Sequence, residues 1–148
     1  MERDFKVSQE EVERTCQGEL PELVVRGLAL FNQGHYFEAH EALELAWRAE
    51  TEPVRELYRG ILQVAVAYYK ILQGNYPGAV KIFRRSRTWL NPFPGQCRGI
   101  DLASFRADYA QAEAELLRLG PERLEWFDRR LMKPIRYSLR RNTDEVFN

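Results

Sequence analysis

Residues 33–39, QGHYFEA, recur as QGNYPGA at residues 73–79, an offset of 40 residues. Each copy reads as a helix end, a tight turn, a tyrosine anchor and a small alanine where two helices come close. Further on, Leu43 of the first copy matches Phe83 of the second as the next apolar anchor. Such helix–turn–helix units resemble tetratricopeptide repeats, but two units are too few to bury the continuous core of a solenoid. The expectation is therefore an all-α fold. We read it as a compact bundle of about six helices, built from two repeat-like helical hairpins plus C-terminal helices, with both turns at one end.

Working outward, apolar residues at helical spacing dominate and strand signals are nearly absent. Ser8, with Glu11 three residues on, predicts a short capped segment over 8–17. Pro21 opens a helix through Gln33 that Gly34 stops. Helices are then predicted over 36–50, 53–73 and from Pro77 to just before Asn91-Pro92. The stretch 91–99, NPFPGQCRG, is rich in Pro and Gly and reads as a loop. Asp101 caps a helix over 102–120, Pro121 opens a sixth over 121–132, and Pro134 disturbs its end. The whole chain, 1–148, is expected to form one domain, with C-terminal helices over about 101–133 and a polar tail over 138–148.

At 148 residues the chain can bury one substantial core. Its 22 basic and 22 acidic residues cancel, so no global field gathers nucleic acid or anionic membrane. Two basic stretches, KIFRRSRTW and DRRLMKPIRYSLRR, are read as solvated faces, and nucleic-acid contact is disfavoured. Cys16 and Cys97 are too few for a disulfide scaffold or a cysteine zinc site, and two free thiols are expected. The N-terminal residues are charged and lack the apolar region of a signal peptide. The longest apolar run, GILQVAVAYYKIL, spans about 13 residues and is interrupted by Gln63 and Lys70, which suits a core helix and not a membrane span. A cytoplasmic location is expected.

Chemistry separates the two copies. His40, Glu41 and Glu44 of the first stand where the second has Val80, Lys81 and Arg84. At about 100° per residue, Tyr36, His40, Leu43, Glu44 and Trp47 share one stripe, which must face the core. Glu38, Ala42 and Leu45 fall on the far side, with Glu41 and Arg48 at the edge. A carboxylate in that stripe must be paired or protonated, and the i, i+4 spacing lets His40 meet Glu44. Arg59 and Gln63, on the following helix, are placed to reach the same pair.

His40 and Glu44 are thus candidates for hydrolase-like proton transfer, with Glu44 as base and His40 as its partner, and Trp47, Gln63, Glu41 and Arg59 for ligand contact. The plainer alternative is a buried pair that only fixes helix packing. HEALE differs from the zinc-protease helix by Glu in place of its second His, and the sole other imidazole, His35, sits in the turn, so no metal ligand set is assigned. No Ser, Thr or Cys adjoins the pair in sequence, which leaves a covalent nucleophile unsupported. The identity of any cofactor stays open. A small molecule, a protein and a second copy of the chain stay open as partners, with weak metal or RNA binding and a non-enzymatic interaction module as alternatives.

FNQGHYFEAHEALELAWR, then YRGILQVAVAYYKILQGNYPGAVKIFRRS, then GIDL resemble domain-of-unknown-function family 309 of bacteria and archaea. The likeness runs from about Leu28 to Leu102 and is most specific at His-x-x-x-Glu-x-x-Trp, here His40, Glu44 and Trp47. It implies an all-α bundle with a site at that motif and brings no established activity. Lys70 stands where members of the family often carry a histidine, which weakens any metal reading because an ammonium is not a ligand.

Overall fold

The computed structural model describes residues 8–139. Six α-helices follow one another: α1 (Gln9–Thr15), α2 (Glu22–Asn32), α3 (Tyr36–Ala49), α4 (Arg55–Leu72), α5 (Tyr76–Leu90) and α6 (Leu102–Leu119). Between α5 and α6, β1 (Gln96–Cys97) and β2 (Ile100–Asp101) pair antiparallel. The fold is all-α, as the periodicity predicts, and that hairpin occupies the Pro/Gly-rich loop. The part of the expected tail from residue 140 on lies outside the described residues.

The two repeat turns are built alike. His35 N donates to Leu30 O and Gly34 N to Phe31 O, and Asn75 N and Gly74 N do the same to Lys70 O and Ile71 O. This Schellman pattern needs a left-handed residue after the helix, supplied by Gly34 (φ 84) and Gly74 (φ 76). The helices that follow start differently. The Asn75 side chain accepts from Gly78 N and caps α5, whereas His35 makes no side-chain cap for α3.

Helices α2 to α5 pack in sequence, each antiparallel to the next. Phe37 at the start of α3 meets Tyr69 near the end of α4, with ring centroids 5.4 Å apart. Trp47 near the end of α3 meets Arg55 and Arg59 near the start of α4. Both repeat turns therefore lie at one end. Small residues set the close approaches: a side chain at Gly27 would meet Leu43 Cγ at 2.6 Å, and one at Gly60 would run into Leu90 of α5.

The core centres on Tyr68, which packs on Phe31 (5.6 Å), Tyr36 (5.4 Å) and Phe83 (6.0 Å). Phe105 of α6 closes it against Phe31. Burial pushes the Tyr68 phenol far above its ordinary pKa, so it acts as a neutral core residue. Asp101 caps α6 by accepting from Ser104 N, and this bond holds its carboxyl below the usual range.

Three expectations fail here. Cys16 and Cys97 are not free thiols; they form a disulfide across a sequence separation of 81. Linear spacing could not show that α1 folds back onto the β1–β2 hairpin, where Arg98 N donates to Cys16 O. The sixth helix predicted over 121–132 is instead two 3₁₀ turns, Pro121–Trp126 and Arg129–Leu131, with non-helical backbone at Arg123 and at Phe127 after the first turn. From Pro134 to Leu139, the last described residue, the chain is neither helix nor turn. Ile135 exchanges two hydrogen bonds with the Asn32 side chain, and Tyr137 bridges to Ile100. Ala42, expected on the far side of its helix, is buried, because α2 covers that flank of α3.

Candidate functional site

Helix α3 lies between α2 and α4 and buries Tyr36, Ala39, Leu43 and Ala46. His40, Glu44 and Trp47 follow one another along its border with α4, each half-buried. The pair forms as the spacing requires, with His40 Nε2 3.2 Å from Glu44 Oε1. Glu44 is less enclosed than the sequence suggests. A third of its side chain is exposed, and its other oxygen accepts from Arg48 Nη2 at 2.6 Å. Helical phase alone over-buried it. A side chain at the border of two helices is long enough to place its carboxylate at the surface.

A carboxylate on one imidazole nitrogen fixes the ring and leaves the other nitrogen to act. Nδ1 of His40 is buried and makes no hydrogen bond among the described residues. His40 also lines a cavity of 170 Å³ with Tyr36, Phe37, Val66, Tyr69 and Lys70. These walls are aromatic and aliphatic, apart from the imidazole and the Lys70 ammonium. Glu44, Trp47 and Gln63 do not line it.

Arg59 does not reach His40 or Glu44. Its guanidinium stacks between two indoles, 4.5 Å from the Trp47 ring and 4.0 Å from Trp89 of α5, while Arg55 covers Trp47 at 4.7 Å. Arg59 Nε also lies 3.4 Å from Glu56 Oε1, and Glu56 in turn pairs with Arg55. The stack ties α3, α4 and α5 together at one level. Gln63 sits one turn further along α4, between this stack and the His40 cavity. Its Oε1 and the Trp47 Nε1 are buried and unpaired among the described residues. Glu41 lies on the open outer face.

The six candidates are thus split. His40 and Glu44 belong to one end of the α3–α4 seam, Trp47 and Arg59 to the other, with Gln63 between them and Glu41 outside. Phe37, Tyr69 and Lys70, which line the cavity, and Trp89, which stacks on Arg59, are not among the candidates read from the sequence. Phe37 and Tyr69 carry a faint signal, since each adjoins a repeat tyrosine or its packing partner. Trp89 carries none, because nothing in the sequence shows which helix faces Arg59. Among the described residues, no group of three His, Cys, Asp or Glu side chains could hold a metal ion.

A second polar centre lies past the end of α3 remote from His40, joined to the tryptophan stack by Arg55, which donates to Glu50 O. Arg98 donates to Thr15 O, Glu19 O and the Tyr58 hydroxyl, and stands 3.7 Å from Glu50. Every group in it has a partner, so it reads as a structural knot beside the disulfide. Among the described residues, no helix is long and apolar enough to cross a membrane.

Comparison with known proteins finds a match to a family described as Domain of unknown function (DUF309) over residues 24–82. That span holds most of α2, all of α3 and α4 and the first half of α5, and stops short of the GIDL segment. An uncharacterized protein of Aquifex aeolicus (strain VF5) is 29% identical over 87 residues. The aligned part is 58% of this chain and 26% of that relative, so the chain spans about a quarter of its length.

Proposed function

We propose that the His40 end of the α3–α4 seam binds a small aromatic ligand carrying a polar substituent. One observation carries this reading: a ring already held by Glu44 keeps its second nitrogen buried without a partner, beside a cavity walled by aromatic side chains. An unpaired buried polar atom costs about 1–3 kcal/mol, and a turn of the ring toward the cavity would let a ligand hydrogen bond recover that cost. The cavity, 170 Å³, is near the roughly 150 Å³ that accommodates a benzene-sized ring. Lys70 in the wall favours an anionic substituent.

Within this reading His40 is the contact residue and Glu44 its positioning residue. The roles of base and partner are then the reverse of those expected from the sequence. Proton transfer by His40 to or from the ligand is the chemistry such a pair supports. Trp47, Gln63 and Arg59 contribute by holding α4 against α3, and the hairpins act as a tetratricopeptide-like frame. In the cytoplasmic setting we assign to the protein, the Cys16–Cys97 pair would be open to exchange with cellular thiols.

The test is titration of ¹⁵N-labelled protein with benzoate, phenol and benzyl alcohol, followed by NMR. We expect shifts confined to residues near 36–40 and 66–70, largest for benzoate and lost in His40→Gln. Absence of such shifts with all three probes, or shifts unchanged in His40→Gln, would reject the site.

A further inference from the structure

We infer that the face formed by α3, α4 and α5 docks a second copy of this chain about a two-fold axis parallel to α4. This goes beyond the ligand reading and does not rest on it.

The face is a shallow trough. Its floor is the half-exposed stripe of α4 running through Arg59, Gln63, Val66 and Lys70. Helix α3 forms one wall and α5 the other. Their outer surfaces carry opposite charge. Glu38 and Glu41 of α3 are exposed and make no ion pair among the described residues, and the same holds for Lys81, Arg84 and Arg85 of α5. Phe37 and Leu45, at 45% and 58% exposure, add apolar surface to the acidic wall.

The register of the charges selects the partner. Arg59 stacks on both Trp47 and Trp89, so those two residues stand level on helices that run parallel to each other. Counting back six residues on each brings Glu41 level with Phe83, between Lys81 and Arg85. A two-fold rotation about an axis along α4 exchanges the walls without changing their level. It therefore lays the acidic wall of each copy on the basic wall of the other, twice, in a closed contact, while the recessed floors set Arg59 and Lys70 opposite their own copies. An axis across α4 would instead stack like charges.

The size fits a modest association. Helix α4 has 18 residues, a length of about 27 Å, and two helix spacings of about 9 Å give a footprint of roughly 500 Å² per copy. Two such footprints reach the lower edge of specific interfaces, about 1,000 Å² in total, which corresponds to an exchanging dimer.

The experiment uses sedimentation velocity of the whole chain across a concentration series, in low and high salt. We expect a monomer–dimer equilibrium without larger species, weakened by salt. Lys81→Glu/Arg85→Glu and Glu38→Lys/Glu41→Lys should each weaken self-association by more than about tenfold, since they oppose like charges. All four positions are exposed, and circular dichroism confirms that each variant is folded. An equimolar mixture of the two variants should regain the dimer, because both wall contacts are then complementary. Monomeric wild-type protein at every concentration in low salt would overturn the proposal. So would variants that dimerise as well as wild type, failure of the mixture to recover, or a ladder of larger species.

Discussion

Helices α3 and α5 are two uses of one pattern. Both follow the same Schellman turn and pack on α4, and both bury an alanine and a large apolar residue at matching positions: Ala39 with Ala79, and Leu43 with Phe83. Away from those contacts they part. Where α3 has His40, Glu41 and Glu44, α5 has Val80, Lys81 and Arg84. The fully buried positions are constrained by volume, because a close-packed interior registers even a single methylene. The outward positions carry no such constraint and can hold whatever chemistry the surface needs. Matching residues between the copies therefore report packing, and differing ones point to the candidate site and the charged walls.

The largest test of that division is at the matched anchors. Phe83→Ala should cost about 3–5 kcal/mol and Leu43→Ala about 2–5 kcal/mol, read as lowered midpoints in urea unfolding. A cost below about 1 kcal/mol at either position would break the equivalence of the two hairpins. Arg59 belongs to both sides, since it touches Trp47 and Trp89 together. Arg59→Ala should cost about 1–2 kcal/mol through two lost cation–π contacts, and Arg59→Lys should recover only part of it, because an ammonium cannot stack flat between two rings. Full recovery by lysine would show that charge alone holds the helices.

The smallest effect sharpens the contrast. Glu44→Ala should cost less than about 1 kcal/mol, because its pairs with His40 and Arg48 are half-exposed i, i+4 contacts. That is smaller than a fully buried carboxylate would give. Arg84→Ala, at the matching position of α5, should leave the urea midpoint unchanged. A larger loss at Glu44, with Arg84 still silent, would mean that the His40 pair is a packing device after all.

Most of the architecture was legible because it repeats local rules. The helix predicted over 36–50 runs to Ala49, and that over 53–73 is Arg55–Leu72. Caps at Ser8 and Asp101 form as their side chains require. The failures are all non-local. Helical phase put Ala42 outside because it could not know that α2 covers that flank. It buried Glu44 too deeply because it carries no information on side-chain reach. Nothing between Cys16 and Cys97 hints that they meet, and Pro121 opens a helix that the chain abandons after two 3₁₀ turns. The site was legible to the same degree. The contact between His40 and Glu44 follows from spacing within one helix, while the cavity and the tryptophan stack depend on what α4 and α5 bring across.

The Cys16–Cys97 bond has a mechanical consequence. It closes a covalent ring around α2, α3, α4 and α5. Tension applied at the two ends of the chain would pass through the sulfurs and leave those helices unloaded. An intact bond would withhold about 280 Å of extensible chain, at roughly 3.5 Å per residue across a separation of 81. The folded frame that carries the candidate site is thereby insulated from a pull on either end, and a thiol reductant would be the agent that connects it to the load.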